Sequence, residues 1–248
     1  MKLENNTVLI TGGGSGIGLE IAKQLHPHNK VIIVGRNLQK LAAVEAMLPG
    51  VTTLQADVTK EQDVKELVKT VVERFETLNV LINNAGLAYI TPVLEETTFY
   101  QTTSQEFETN FFAPLKLIQQ FLPLLRTKEE AAIVNVTSIA ALCPSAPGAG
   151  YCASKGALHS YTQSLRQQLK DSSVKLFELM PPLVATEFSS EIGGLEHGMP
   201  ASEVATELIA AWKTDLFEIH VGDTKAFYDT YFSKSQEAFE MLNAPMNS

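Results

Sequence analysis

The stretch GYCASKGA (150–157) carries two side chains, Tyr151 and Lys155, that together can move a proton. Alone, neither is useful at neutral pH: a phenol loses its proton near pH ~10 and a lysine ammonium near ~10.4. Four residues apart on a helix, they share one face. A cation about 5 Å from a phenol, at an effective dielectric of 20, favours phenolate by ~3 kcal/mol, or ~2 pKa units. Such a shift brings acid/base chemistry toward working pH. A Tyr-x-x-x-Lys pair by itself is more often an ordinary pair on a helix surface, so its surroundings decide.

Other residues point the same way. Ser138 ends the run AAIVNVTS, thirteen residues before Tyr151. NNAG (83–86) follows the apolar run NVLIN, and Asn110 falls in the helical stretch after it. TGGGSGIG (11–18) spaces Gly12, Gly16 and Gly18 as G-x-x-x-G-x-G, a variant of the dinucleotide fingerprint. Glycines there allow a tight turn and let a pyrophosphate approach a helix N-terminus, where free N–H groups favour anions. The Gly-Lys-Ser/Thr ending of a P-loop is absent. On this loop alone, a methyl-donor-binding domain stays open. The run KVIIVGRN places Gly35 where an NAD site often has an acidic residue, and Arg36 follows. A guanidinium there suits a 2′-phosphate, so NADP is expected, with NAD possible.

These residues need a frame. TVLIT (7–11), KVIIV (30–34), VTTLQAD (51–57), NVLIN (79–83), AAIVNVTS (131–138), VKLFELM (174–180) and FEIHV (217–221) read as strands. Near-continuous apolar runs suit a parallel sheet covered on both faces. Helical patterns fall at about 16–26, 38–48, 60–75, 104–127, 149–170 and 202–213, with Thr59 and Gln62 as a capping box for the third. The alternation gives an α/β fold: one Rossmann-type, doubly wound parallel sheet of about seven strands with helices on both faces. Carboxyl ends of such strands form the ligand crevice. No linker or repeat divides residues 1–248, which read as one domain. Residues 185–200, with three glycines and weak periodicity, read as a loop over the site with at most a short helix. A C-terminal helix is expected at about 224–242.

The chain has 248 residues, 45% of them apolar and 19% charged, with a net charge of −9. That acidity disfavours nucleic-acid and anionic-membrane surfaces. No apolar run approaches the ~20 residues of a membrane span. The N-terminus lacks signal-peptide character. Two cysteines, Cys143 and Cys152, read as free thiols, and a cytoplasmic setting follows. The histidines and cysteines show no metal-ligand spacing. His159, one turn beyond Lys155, reads as packing.

Taken jointly, TGGGSGIG, Asp57, NNAG, Asn110, Ser138 and YCASK resemble the classical short-chain dehydrogenase/reductase family, from Thr11 to about Val221. The resemblance implies Tyr151 as general acid/base, Ser138 as holder of the substrate carbonyl, and Lys155 as holder of the nicotinamide ribose. Asn110 would support a water that links Lys155 to solvent. Cofactor contacts are implied at Gly12, Ser15, Gly16, Ile17, Gly18, Arg36, Asp57, Val58, Asn83, Ala85, Gly86, Tyr151, Lys155, Val184 and Thr186. The implied substrate is a small carbonyl or alcohol, and the implied assembly is a homodimer or homotetramer. Phe107, Phe111, Leu115, Ile118 and Leu122 form an apolar stripe that fits such pairing. One departure is Pro181-Pro182, where the family usually has Pro-Gly. The run PPLVAT is similar to family members named for D-alanine transfer to teichoic acid. Competing classes are a non-catalytic dinucleotide-binding sensor or scaffold, and an epimerase on the same fold.

Overall fold

Val8 and Ile10 of the first strand pack into one hydrophobic core, and Leu9 between them packs into another. Successive strand side chains point to opposite faces, so one unbroken apolar run feeds two cores. The computed structural model describes residues 1–94, 97–235 and 237. Its strands are β1 (Thr7–Thr11), β2 (Lys30–Gly35), β3 (Thr52–Gln55), β4 (Leu78–Asn83), β5 (Ala131–Val136) and β6 (Val174–Met180), then the two-residue β7 (Val184–Ala185) and β8 (Met199–Pro200), and finally β9 (Glu218–His220). Seven of them form a parallel sheet in the order β3-β2-β1-β4-β5-β6-β9, and β7 pairs with β8 separately.

The sheet is covered on both faces. On one lie α1 (Gly16–Leu25), α2 (Leu38–Met47) and α8 (Ala201–Thr214), contributing Ile21, Leu25, Leu41, Leu208 and Trp212. On the other lie α3 (Glu61–Arg74), α5 (Ala113–Leu125) and α6 (Ala149–Leu169), contributing Leu67, Val71, Phe121 and Leu165. The sheet reverses its winding between β1 and β4, so their carboxyl ends flank the switch point where such folds bind ligands. The expected doubly wound sheet of seven strands is therefore present.

Several boundaries differ from expectation. The helix expected over 104–127 is three pieces: α4 (Phe99–Phe107), a π-helical stretch Glu108–Phe112, and α5. Pro114 has no N–H for the Asn110 carbonyl, and Ala113 N–H bonds instead to Glu108 O, five residues back. The Thr59–Gln62 capping box does not form. The helix starts one residue later, at Glu61, and Thr59 turns its N–H and hydroxyl to Asp57 Oδ1, at 3.1 and 2.7 Å. The carboxylate of Asp63 reaches back instead and accepts from Asp57 N–H at 2.8 Å.

Residues 185–200 are more regular than a loop: a 3-10 helix Glu187–Ile192 and the short α7 (Gly194–His197) lie between β7 and β8. Gly193, left-handed at φ 73°, makes the corner between them. The final helix, α9, spans Asp223–Ser233 and stops at Lys234, where φ is −148°; of the expected continuation, residues 236 and 238–242 lie outside the described residues.

Candidate active site

At the carboxyl end of β1, Gly12 and Gly16 take left-handed backbone, φ 65° and 55°, which side-chain-bearing residues rarely adopt. Gly18 serves close approach instead: a Cβ there would lie 2.7 Å from Gly12 O and 2.5 Å from Asn84 Nδ2. Ser15 caps α1 with no side-chain bond, so the first N–H groups of that helix keep their anion-binding capacity. Ile17 packs against the core. Asn84 staples the loop, donating from Nδ2 to Thr11 O at 2.9 Å and Gly12 O at 3.2 Å. Thr11 Oγ1 in turn accepts from the N–H groups of Asn84 and Ala85. The NNAG motif is thus what holds the glycine turn. The side chain of Asn83 is buried in the core and donates to Asn135 Oδ1 at 2.9 Å, while its own Oδ1 is buried without a partner.

Arg36, exposed after β2, borders a cleft of about 470 Å³ with Gln55, Asp57, Lys60, Asp63 and Glu66. Burial works against the charge of Asp57, but the Thr59 bonds and the Arg36 and Lys60 cations hold its carboxyl below the usual range. Val58 is buried in the core that α3 covers.

The acid/base group converges at the ends of β4, β5 and β6. Ser138, just past β5, is 7% exposed, and its hydroxyl hydrogen-bonds the Tyr151 phenol. Tyr151 and Lys155 sit in the first turns of α6, with Lys155 Nζ 5.8 Å from the Tyr151 ring centre. Lys155 is 4% exposed and donates to Val136 O at 2.8 Å. The expected acidification of the phenol is not found. Burial pushes Tyr151 up to about 12 despite the Ser138 bond, and burial pushes Lys155 down to about 8 despite nearby Glu178. Desolvation of the charged form is the largest cause in each case, and neither shift draws on the other group of the pair.

Asn110, in the π-helical stretch, is wholly buried. It accepts from Leu87 N–H at 2.8 Å, donates to Leu87 O at 2.7 Å, and donates to Ser154 Oγ at 2.9 Å. Glu106, one turn earlier, accepts from Tyr89 N–H at 2.8 Å, and burial raises its carboxyl. The two grip the segment after NNAG at alternate residues. The spacing of Glu106 and Asn110 on one helix face signals this clamp, but the sequence does not name its target.

Thr186 borders the crevice from its far side, while Val184 is buried in the core. Thr186 Cγ2 lies 3.2 Å from where a Cβ of Gly16 would be, and the Phe188 ring reaches within 3.7 Å of the equivalent point on Gly86. Phe188 also lies 6.0 Å from the Tyr151 ring, centre to centre. Lys40 Nζ of α2 pairs with Glu187 at 2.6 Å, joining the two walls. Pro181 O accepts from Ile139 N–H at 3.0 Å, and Pro182 approaches Gly222. His159 is not simple packing: its Nδ1 lies 2.9 Å from Glu178 Oε1.

Comparison with known proteins agrees with this geometry. The family model for short chain dehydrogenase matches residues 6–195. The chain is 38% identical over 252 aligned positions to the uncharacterized oxidoreductase DltE of Bacillus subtilis (strain 168), covering all of both chains. It is 29% identical to an uncharacterized oxidoreductase of Staphylococcus epidermidis, over 75% of this chain and 80% of that one. Among solved structures, a short chain dehydrogenase of Burkholderia cenocepacia in complex with NADP superposes with a TM-score of 0.87 at 26% identity, covering 99% and 100% of the two chains. A short chain dehydrogenase/reductase of Burkholderia phymatum in complex with NAD has the same fold, with a TM-score of 0.88 at 22% identity over 100% and 99%. The chain belongs to the short-chain dehydrogenase family.

Proposed function

We propose that the protein is an NADP(H)-dependent oxidoreductase that interconverts a small carbonyl and its alcohol, with Tyr151 as general acid/base. The observation that carries this reading is the Ser138–Tyr151 hydrogen bond beside the buried Lys155 ammonium at the carboxyl edge of the sheet. A binding module has no use for a buried acid, a cation and a hydroxyl in one place. The left-handed Gly12 and Gly16 and the uncapped start of α1 fit a pyrophosphate. In this reading Gly12, Ser15, Gly16, Ile17 and Gly18 hold that group, and Asp57, Val58 and Asn83 border the adenosine. Ala85, Gly86, Val184 and Thr186 border the nicotinamide. Arg36 and Lys60, on the cleft beside Asp57, offer cations to a 2′-phosphate, and Gly35 offers no competing carboxylate.

When bound, the nicotinamide supplies or accepts the hydride. The chain supplies the rest. Ser138 Oγ holds the substrate oxygen near Tyr151. Tyr151, with its high pKa, is protonated at neutral pH, which is the form needed to donate to a carbonyl oxygen during reduction. Lys155 holds the ribose, and Asn110 keeps the adjoining segment in register. Phe188 and the 185–200 segment wall off the crevice.

The relative named DltE suggests no substrate. The aromatic patch of Phe107, Phe111, Phe112 and Tyr161, with Phe112 and Tyr161 exposed, supports pairing of α4–α6 with a second copy. The free, buried Cys143 and Cys152 support a cytoplasmic setting. The test is consumption of NADPH and NADH across a panel of aldehydes and ketones, with Arg36→Ala beside the wild type. NADPH should be preferred, and Arg36→Ala should weaken NADPH about tenfold while sparing NADH. No consumption by wild type on any carbonyl, or equal weakening of both cofactors, contradicts the reading.

A further inference from the structure

Glu178 is a carboxylate in the middle of an apolar strand, β6, with no solvent exposure. A buried charge is costly unless it is paired and hydrogen-bonded. Glu178 has two such partners, and each belongs to an element that carries the acid/base group. Its Oε1 accepts from Thr137 Oγ1 at 2.8 Å. Its Oε1 and Oε2 lie 2.9 and 3.1 Å from His159 Nδ1.

Thr137 stands between Val136, whose carbonyl receives Lys155 Nζ, and Ser138, whose hydroxyl meets Tyr151. His159 lies one turn beyond Lys155 on α6. A single carboxylate therefore spans from the end of β5 to the helix of the acid/base pair. We propose that Glu178 is a positioning residue that registers the Ser138 strand end against the Tyr151–Lys155 helix through Thr137 and His159. This inference rests on the oxidoreductase reading above.

The charges around the pair fit that role. His159 faces Glu178 from β6, Glu218 and His220 from β9, and Arg166 from its own helix. Arg166 is committed to Glu218 at 2.7 Å and stands 3.8 Å from Glu178, so the short contact to Glu178 belongs to His159. The Glu178 bond raises His159 above the ordinary histidine value, which favours an imidazolium over the carboxylate. Glu178 also works to keep Lys155 protonated against its burial.

The test compares wild type with Glu178→Gln, Thr137→Val, His159→Asn, the Thr137→Val/His159→Asn double variant and Tyr151→Phe. Turnover, KM, NADPH affinity by fluorescence and the pH profile of turnover are measured on one carbonyl substrate, with thermal unfolding alongside. Glu178→Gln should lower kcat by roughly ten- to a hundredfold, as expected for small misplacement of reacting groups, with KM within about threefold. The alkaline limb of its profile should move to lower pH, because Lys155 loses a charge that favours its protonated form. The two milder variants guard against a misfolded Glu178→Gln. Each should lower kcat several-fold, and their combined loss should be smaller than the product, because both act through one carboxylate.

Wild-type kcat and pH profile in Thr137→Val and His159→Asn, whatever their melting temperatures, would overturn the proposal. Fully multiplicative losses would overturn it too. If Tyr151→Phe keeps its turnover, the oxidoreductase reading itself fails and takes this inference with it. If Tyr151→Phe is inactive while the other variants behave as wild type, only the Glu178 assignment fails.

Discussion

The glycine loop after β1 and the Pro181–Pro182 turn after β6 border one crevice from two sides, and they are held in different ways. The first is held by backbone. Gly12 and Gly16 take conformations that other residues resist, Gly18 leaves room for Gly12 O, and Asn84 bonds main-chain carbonyls. The second takes a main-chain bond from Ile139 N–H to Pro181 O, but it is framed by side chains that meet across long sequence distances: Thr137 with Glu178, Glu178 with His159, Lys40 with Glu187, and Phe188 with Tyr151. A wall built from backbone suits a constant partner such as a dinucleotide. A wall built from side chains can change its substrate without disturbing the cofactor.

Removing the buried cation beside Tyr151 should have the largest effect. Lys155→Ala removes the cation assigned to both the ribose and the neighbourhood of Tyr151, so turnover should fall on the order of 10³-fold and NADPH binding should weaken with it. Steady-state kinetics and fluorescence titration check the two losses separately. Damage to the backbone-built wall alone should look different. Gly18→Val puts a Cβ into Gly12 O and Asn84, so overpacking should cost about 1–3 kcal/mol of stability and NADPH affinity should fall at least tenfold. Thermal unfolding and titration of the same sample measure both.

The pH dependence joins the two walls. Tyr151 keeps its proton below about 12, and Lys155 keeps its charge only below about 8. Carbonyl reduction should therefore hold steady through neutral pH and decline above about 8, as the ammonium is lost while the phenol remains. A profile measured at saturating NADPH checks this; a rise through pH 9 would contradict it. For stability, the raised His159 value has a definite sign. Its contribution is complete below the unfolded value near ~6.5 and disappears as pH rises through the folded value. The smallest effect is expected at the outer edge of the side-chain wall. Phe188 is 51% exposed, so Phe188→Ala should leave melting almost unchanged while shifting KM several-fold and altering preference across the carbonyl panel.

The same contrast explains what could be read from sequence. Local periodicity marks β1, β2, β4, β5 and β6, because residues of each run enter opposite cores. The glycine turn is legible because its constraint lies within eight consecutive residues. Ser138, Tyr151 and Lys155 are legible by type and spacing, and the fold brings them together. Long-range polar pairing is not legible. Nothing in VKLFELM says that Glu178 meets Thr137, 41 residues earlier, and His159, 19 residues earlier. The pairing of Asn83 is hidden for the same reason: its amide donates to Asn135 on the next strand. The break at Asn110 in the expected long helix is signalled by Pro114, but only the Leu87 clamp gives the break a purpose. The phenol pKa is not legible either, because spacing gives a distance between charges and says nothing of the burial that opposes both.

The central claim is that Tyr151 is the proton donor of a nicotinamide-dependent reduction, and Tyr151→Phe tests it with the least disturbance. The substitution removes one oxygen and keeps the ring that meets Phe188. Turnover of the best carbonyl from the panel should fall by about 10²–10⁴-fold, with NADPH affinity and melting temperature nearly those of the wild type. Turnover within a few-fold of wild type would mean that the proton comes from elsewhere and that Tyr151 and Lys155 merely share a helix face.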